Sequence, residues 1–141
     1  MAGYKVFTLE IDIRLRDLDA RGHVNNAVYF TYFEHGRLRF YNAEFQQKKL
    51  SEINFILAHT GCDFVKPVTL TDQVTLQMWV KEIGTKSFTL NYRLVDRADA
   101  ETVYARADSV LVCFDYVNNV TINVPEALRA KLTEYLETPV P

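Results

Sequence analysis

The clearest pattern along the chain is an alternation. Phe7, Leu9, Ile11, Ile13 and Leu15 alternate with Thr8, Glu10, Asp12, Arg14 and Arg16, which predicts a strand with one buried and one wet face. It stops at Asp17-Leu18-Asp19-Ala20-Arg21-Gly22, where acids and a glycine make a loop or tight turn. Asn25 and Asn26 then supply helix-capping chemistry, and a long stretch without proline follows. Tyr29, Phe33, Arg37 and Phe40 fall at three- and four-residue spacings, with Phe30, Tyr41 and Phe45 beside them. Rings on most of the circumference predict a helix buried on several sides. Gly36 costs such a helix about 1 kcal/mol against alanine, so it marks a close approach to a strand. The helix is expected to fade between positions 45 and 48.

Most of the remainder reads as strand. Residues 54 to 68 are mixed and end near Pro67, the mark of an irregular or edge strand. Val74, Leu76, Met78 and Val80 alternate with Thr75, Gln77, Trp79 and Lys81. After a turn at Gly84, Phe88, Leu90, Tyr92 and Leu94 alternate again. A hairpin connection over 96 to 100 leads into a long strand over 102 to 115, and Asn118-Asn119 makes a turn pair. Pro125 opens a last helix, with Glu126 in its first turn and Leu128, Leu132 and Leu136 directed inward. One long helix with an antiparallel sheet is an α+β layout.

Composition narrows the classes. At 141 residues the chain fits one domain spanning 1–141, and 48% apolar content is enough for its core. With 16 basic against 18 acidic residues and no basic stripe, nucleic-acid binding has no electrostatic support. Neither a signal peptide at the start nor a bilayer-spanning apolar run is expected, so no membrane partner is implied. Cys62 and Cys113 have no partner spacing for zinc or a redox pair and read as buried thiols in a reducing compartment, the cytoplasm. No metal site is expected.

The candidate chemistry lies between the first strand and the long helix. A helix start presents unpaired N–H groups and the positive end of the macrodipole, which can hold a carbonyl oxygen as it gains charge. A carboxylate a few residues upstream, such as Asp19, could reach the same carbonyl carbon or a water beside it. Gly22 lets backbone approach a ligand closely, and the imidazole of His23 could bond to the carboxylate, the ligand or a water. Each residue also has an ordinary role. Asp17 and Asp19 suit Asx-turns, His23 a loop, Asn25 and Asn26 caps, and Tyr29 the core.

Taken together, the run resembles the signature of the 4-hydroxybenzoyl-CoA thioesterase family of the hotdog superfamily. That signature places an aspartate after the first strand, then Ala-x-Gly-His-Val-Asn-Asn and a tyrosine in the first turns of the central helix. Asp19, Ala20, Gly22, His23, Val24, Asn25, Asn26 and Tyr29 match it in place. Glu34 and Arg37 resemble the Glu-x-x-Arg of that helix, and Arg37 is the expected partner of Glu34. Phe64-Val65-Lys66-Pro67 with Asp72, and Val124-Pro125-Glu126, extend the similarity.

The resemblance implies a hotdog fold, in which a curved antiparallel sheet wraps one long central helix and a C-terminal helix follows. It also implies an acyl-CoA thioesterase working without metal or organic cofactor. Asp19 would act as nucleophile or general base, with His23 as a second catalytic residue. Gly22, Val24, Asn25, Asn26 and Tyr29 would contact substrate, and Lys66, otherwise a surface lysine, would meet a coenzyme phosphate. A homodimer joined sheet edge to sheet edge, or a homotetramer, is implied as well. His23 also resembles the histidine of plant acyl-carrier-protein thioesterases, although Arg21 stands where those have asparagine. Some bacterial relatives carry a catalytic histidine at the position of Asn26. The alternatives are an acyl-carrier-protein thioesterase, a hydratase or dehydratase of the same fold, and a non-catalytic acyl-CoA-binding protein.

Overall fold

The computed structural model describes residues 3–45 and 54–138. Its elements run β1 (Phe7–Ile11), a single 3-10 turn (Leu15–Asp17), α1 (Asn26–Phe45), β2 (Phe55–Phe64), β3 (Val74–Ile83), β4 (Ser87–Asp96), β5 (Val103–Asp115), β6 (Val120–Thr121) and α2 (Glu126–Glu134). All strand pairs are antiparallel, in the order β1-β3-β4-β5-β2, and β6 pairs with the end of β5. One long helix, one antiparallel sheet and a terminal helix are the expected layout. Among the described residues no helix is long and apolar enough to cross a membrane.

The alternating residues of β3 and β4 form the inner floor. Val74, Leu76, Met78, Val80, Phe88, Leu90, Tyr92 and Leu94 are all buried, and α1 lies over them with Tyr29, Tyr32, Phe33, Gly36, Arg37, Phe40 and Tyr41 turned inward. Phe33 stacks on Tyr92 with ring centroids 4.8 Å apart. Gly36 is the predicted close approach, since a Cβ there would stand 2.5 Å from Leu76 Cδ2. β2 is an edge strand, with a register shift between Leu57 and His59. Cys62 is half-buried, Cys113 is buried, and both are free thiols.

Four expectations need correction. The first strand ends at Ile11, because its antiparallel partner β3 begins only at Val74, opposite Ile11. Beyond that point Leu15 has no ladder to join and stands exposed. The long helix is not buried on several sides. The sheet covers one broad face only, and Thr31, Glu34, His35 and Arg39 face solvent. Its described part ends at Phe45, and the rest of the expected fade lies outside the described residues. Glu34 and Arg37 do not pair with each other, since the Arg37 guanidinium turns into the sheet and donates to the Tyr92 hydroxyl at 3.1 Å. Finally, α2 stops at Glu134, so Leu136 lies beyond it and makes a parallel bridge to Val80.

Candidate active site

The loop before α1 is built around Asp17. Once β1 has ended, the chain tightens into the 3-10 turn and the Asp17 side chain folds back. Its Oδ2 accepts the Arg14 amide at 3.0 Å and the Tyr32 hydroxyl at 2.8 Å. Its Oδ1 accepts Arg14 Nη2 at 3.1 Å, and its backbone carbonyl accepts the Asn25 amide at 2.8 Å. Asp17 is therefore no surface turn former. At 2% exposure it ties the loop entrance to the helix entrance. Burial pushes its pKa up, but the Arg14 amide, the Tyr32 hydroxyl and the Arg14 guanidinium outweigh that and leave it below the usual value.

The stability consequence of this depressed pKa has a definite sign. The contribution of Asp17 is full above the pKa of an unfolded aspartate and is lost as pH falls through the lower folded value. Asp17→Ala is expected to destabilise the fold by about 2 kcal/mol at neutral pH, since it strands the buried Tyr32 hydroxyl and the Arg14 amide. Urea unfolding at neutral pH and again at acid pH checks this, and the gap between variant and wild type should narrow in acid.

Two residues on, Asp19 organises the loop tip. Its Oδ1 accepts the Arg21 amide at 2.8 Å and the His23 amide at 3.1 Å. Its own amide donates to the His23 carbonyl at 2.7 Å, and the Gly22 amide donates to the Asp19 carbonyl at 3.1 Å. Gly22 has φ = 81°, a region open to glycine at little cost. Asp19 is thus the Asx-type turn former that its residue type suggests, but only one of its oxygens is occupied. Oδ2 takes no donor among the described residues, and the side chain is exposed. The Arg21 and His23 amides hold its pKa below the usual value, which keeps it a carboxylate at neutral pH.

The loop is seated against the β2–β3 connection. The Val24 amide donates to the Val68 carbonyl at 2.8 Å, and His23 bridges to Thr69. Val24 itself is enclosed in the core, whereas the His23 side chain is half-buried at the surface. Asn25 caps α1, its Oδ1 accepting the Ala27 amide at 2.9 Å. The amide of Asn26, the first of the helix, has no protein acceptor among the described residues. It stands at the positive end of a 20-residue helix.

Tyr29, one turn in, is buried with its ring edge-on to Phe64 at 5.0 Å. Burial raises its pKa, the Val68 amide opposes, and the nearby Cys62, Asp19 and Asp72 add to the rise. The phenol therefore keeps its proton. Lys66 is exposed on the neighbouring connection, its Nζ 5.4 Å from the Tyr104 ring centroid.

The fold thus brings Asp19, Gly22, His23, Asn25, Asn26 and Tyr29 to one end of α1, with Lys66 on the adjoining segment. Asp17 and Tyr32 are positioning residues that the sequence did not single out. The only local signal for them was Arg14, three residues before Asp17. Clefts of ≈ 290, ≈ 410 and ≈ 300 Å³ are lined by other residues, and the Asp19 loop itself is exposed in the single chain. Among the described residues no three His, Cys, Asp or Glu side chains are grouped to hold a metal.

Comparison with known proteins bears on the family and the fold. Residues 13–132 match the family model described as the thioesterase-like superfamily. The long-chain acyl-CoA thioesterase FadM of Escherichia coli K12 is 26% identical over 91% of this chain and 98% of its own. The 1,4-dihydroxy-2-naphthoyl-CoA hydrolase of Nostoc punctiforme is 25% identical over 94% of this chain and 87% of its own. Among solved structures, a thioesterase from Thermus thermophilus, complexed with coenzyme A and Zn, superposes with a TM-score of 0.78. It is 30% identical over 94% of this chain and 95% of its own. A predicted thioesterase from Bacillus stearothermophilus has the same fold, with a TM-score of 0.87 at 24% identity over 96% of this chain and all of its own. With a family match over most of its length, this chain belongs to the thioesterase-like superfamily and has its hotdog fold.

Proposed function

We propose that the protein is a single-domain acyl-CoA thioesterase that hydrolyses an acyl-CoA thioester to the free acid and coenzyme A. The observation that carries this reading is an exposed Asp19 carboxylate in the loop that leads into α1, whose first amide, that of Asn26, has no acceptor among the described residues. The amide polarises the thioester carbonyl and holds the oxyanion. The free Oδ2 of Asp19 takes a proton from water as that water adds to the carbonyl carbon. Collapse of the tetrahedral intermediate breaks the C–S bond, and the departing thiolate takes up the proton. In the nucleophilic variant Asp19 adds to the carbon directly, the C–S bond breaks to release the thiolate and leave a mixed anhydride, and water hydrolyses that anhydride to the free acid and the Asp19 carboxylate, the remaining proton going to the thiolate.

His23 lies beside Asp19 and supplies a second polar group for water or substrate. Gly22 and Asn25 set the backbone against the thioester, and Val24 holds that backbone in place. Tyr29 and Phe64 wall the acyl side, and Lys66 faces the phosphates of the coenzyme. The chemistry needs no metal or organic cofactor. The named activities of FadM and the Nostoc hydrolase, and the coenzyme A bound in the Thermus structure, support this substrate class.

The loop's exposure in one chain supports a dimer in which a second copy covers it. The outer edge of β2, which pairs with no other strand among the described residues and where Leu57 and Phe64 are exposed, is the surface for edge-to-edge association, and a tetramer follows from pairing two such dimers. Two free thiols fit a reducing compartment such as the cytoplasm.

Free-thiol release from short, long and aromatic acyl-CoA esters, run beside acyl-carrier-protein esters, tests the reading. Turnover of at least one coenzyme A ester, faster than its carrier-protein counterpart, is expected. Binding without turnover of any ester would establish the non-catalytic alternative.

A further inference from the structure

Arg37 lies three turns into α1 and is only 8% exposed. A guanidinium so far out of water is costly unless a carboxylate faces it. Among the described residues its one hydrogen-bond acceptor is the neutral Tyr92 hydroxyl, and no carboxylate is within ion-pair distance. Arg37 is also among the residues that line an open cleft of ≈ 290 Å³, with Phe55, Leu57 and Glu34. Glu34 is exposed one turn earlier and makes no ion pair among the described residues of its own chain. A carboxylate and a nearly buried arginine thus share one open face without meeting.

The direction of the helix supplies the missing relation. Tyr29 packs on Phe64 at 5.0 Å and Tyr41 on Phe55 at 5.3 Å, so α1 runs antiparallel to the edge strand β2. Midway between the two strand contacts lie His59 and Thr60, and midway between the two helix contacts lies His35. In the edge-to-edge dimer proposed above, two β2 edges pairing antiparallel about the middle of β2 would place the two-fold axis beside the middle of α1. Residues placed symmetrically about that point are exchanged across the axis. Glu34 and Arg37 come within half a residue of such a placement, one on each side of His35 and Gly36.

We infer that Glu34 of one protomer is the counter-ion of Arg37 in its partner, a pair made twice about the axis. The inference rests on the edge-to-edge dimer proposed above, and it commits the cleft to a second copy of this chain. Charge complementarity, the exposed Ile56 and Leu57 on the cleft wall and continuity with the free β2 edge all favour that occupant.

A charge swap tests it. Glu34→Arg changes an exposed side chain and sets two guanidinium groups face to face. Arg37→Glu sets two carboxylates face to face. Each is expected to raise the dimer dissociation constant about 100-fold in sedimentation runs. Mixing the two variants restores opposite charges at both contacts, so native mass spectrometry should show heterodimers well above their random share. Should Arg37→Glu not fold, Glu34→Arg combined with Arg37→Gln should dimerise more tightly than Glu34→Arg alone.

A Glu34→Arg dimer as tight as wild type, or a random mixture, overturns the pairing. So does an Arg37→Gln variant that leaves dimer strength unchanged and raises KM only for esters with a polar chain end, because the cleft then holds substrate. Thiol release by the same wild-type preparation separates the two proposals. An active dimer indifferent to the swap overturns the pairing alone, and a monomeric wild type overturns the dimer with it. An inactive dimer that obeys the swap supports the pairing and overturns the thioesterase reading.

Discussion

Asp19→Asn is expected to lower kcat for acyl-CoA hydrolysis by about 10³-fold, with the fold and the KM little changed. The substitution keeps an acceptor oxygen at Oδ1, so the Arg21 and His23 amides retain their partner and the loop keeps its shape. What it removes is the charge and basicity of the free Oδ2. Burial plays little part at this exposed position, so a loss of stability would be out of keeping with its contacts. The pH profile follows from the depressed pKa of Asp19. The wild-type rate should hold as pH falls through neutrality and drop only at or below the ordinary carboxylate range. Steady-state kinetics with circular dichroism on both proteins check the result, and an active Asp19→Asn enzyme would move the chemistry to another group.

Gly36→Val is expected to cost about 3 kcal/mol of stability, more than the loss expected for Asp17→Ala. Even alanine brings its Cβ to 2.5 Å from Leu76 Cδ2. Leu76 is fully buried on β3, so the helix must lift or the leucine must leave its rotamer. Alanine would gain about 1 kcal/mol of helix propensity against that clash, and should still be destabilising. Valine has less propensity to offer and two more methyl groups to place. Urea unfolding of Gly36→Ala and Gly36→Val should rank both below wild type, with valine the lower.

The floor of the fold was legible because β3 and β4 are covered on one face only, so their alternation survives in the sequence. The cap at Asn25 and the close approach at Gly36 were legible for local reasons too. The first strand shows why pattern alone overruns. Its alternation continues to Leu15, yet a strand lasts only as long as its partner, and β3 begins opposite Ile11 with nothing before it to pair. The all-round rings of α1 misled in the same way, since one-sided coverage is decided by the sheet. Arg37 could not be placed from its spacing to Glu34, because its acceptor, Tyr92, lies 55 residues further on.

The candidate site divides along the same line. Asp19, Gly22 and Asn25 act through neighbours within a few residues, so motif and geometry coincide there. Asp17 looked like any turn acid, since its burial depends on a tyrosine hydroxyl a helix turn and a loop away. Lys66 and Phe64 reach the same end of α1 only because β2 returns the chain there.

The central claim is that a thioester sits between Asp19 and the first amides of α1. Amide NMR of Asp19→Asn, titrated with an acyl-CoA that the variant does not consume, tests it most directly. The Asn26 and Ala27 amides and those of Gly22 and His23 should shift earliest and furthest, with Tyr29 and Lys66 following. Shifts confined to the cleft between β1 and α1, around Arg14, His35 and Arg39, with the Asn26 amide unmoved, would contradict it.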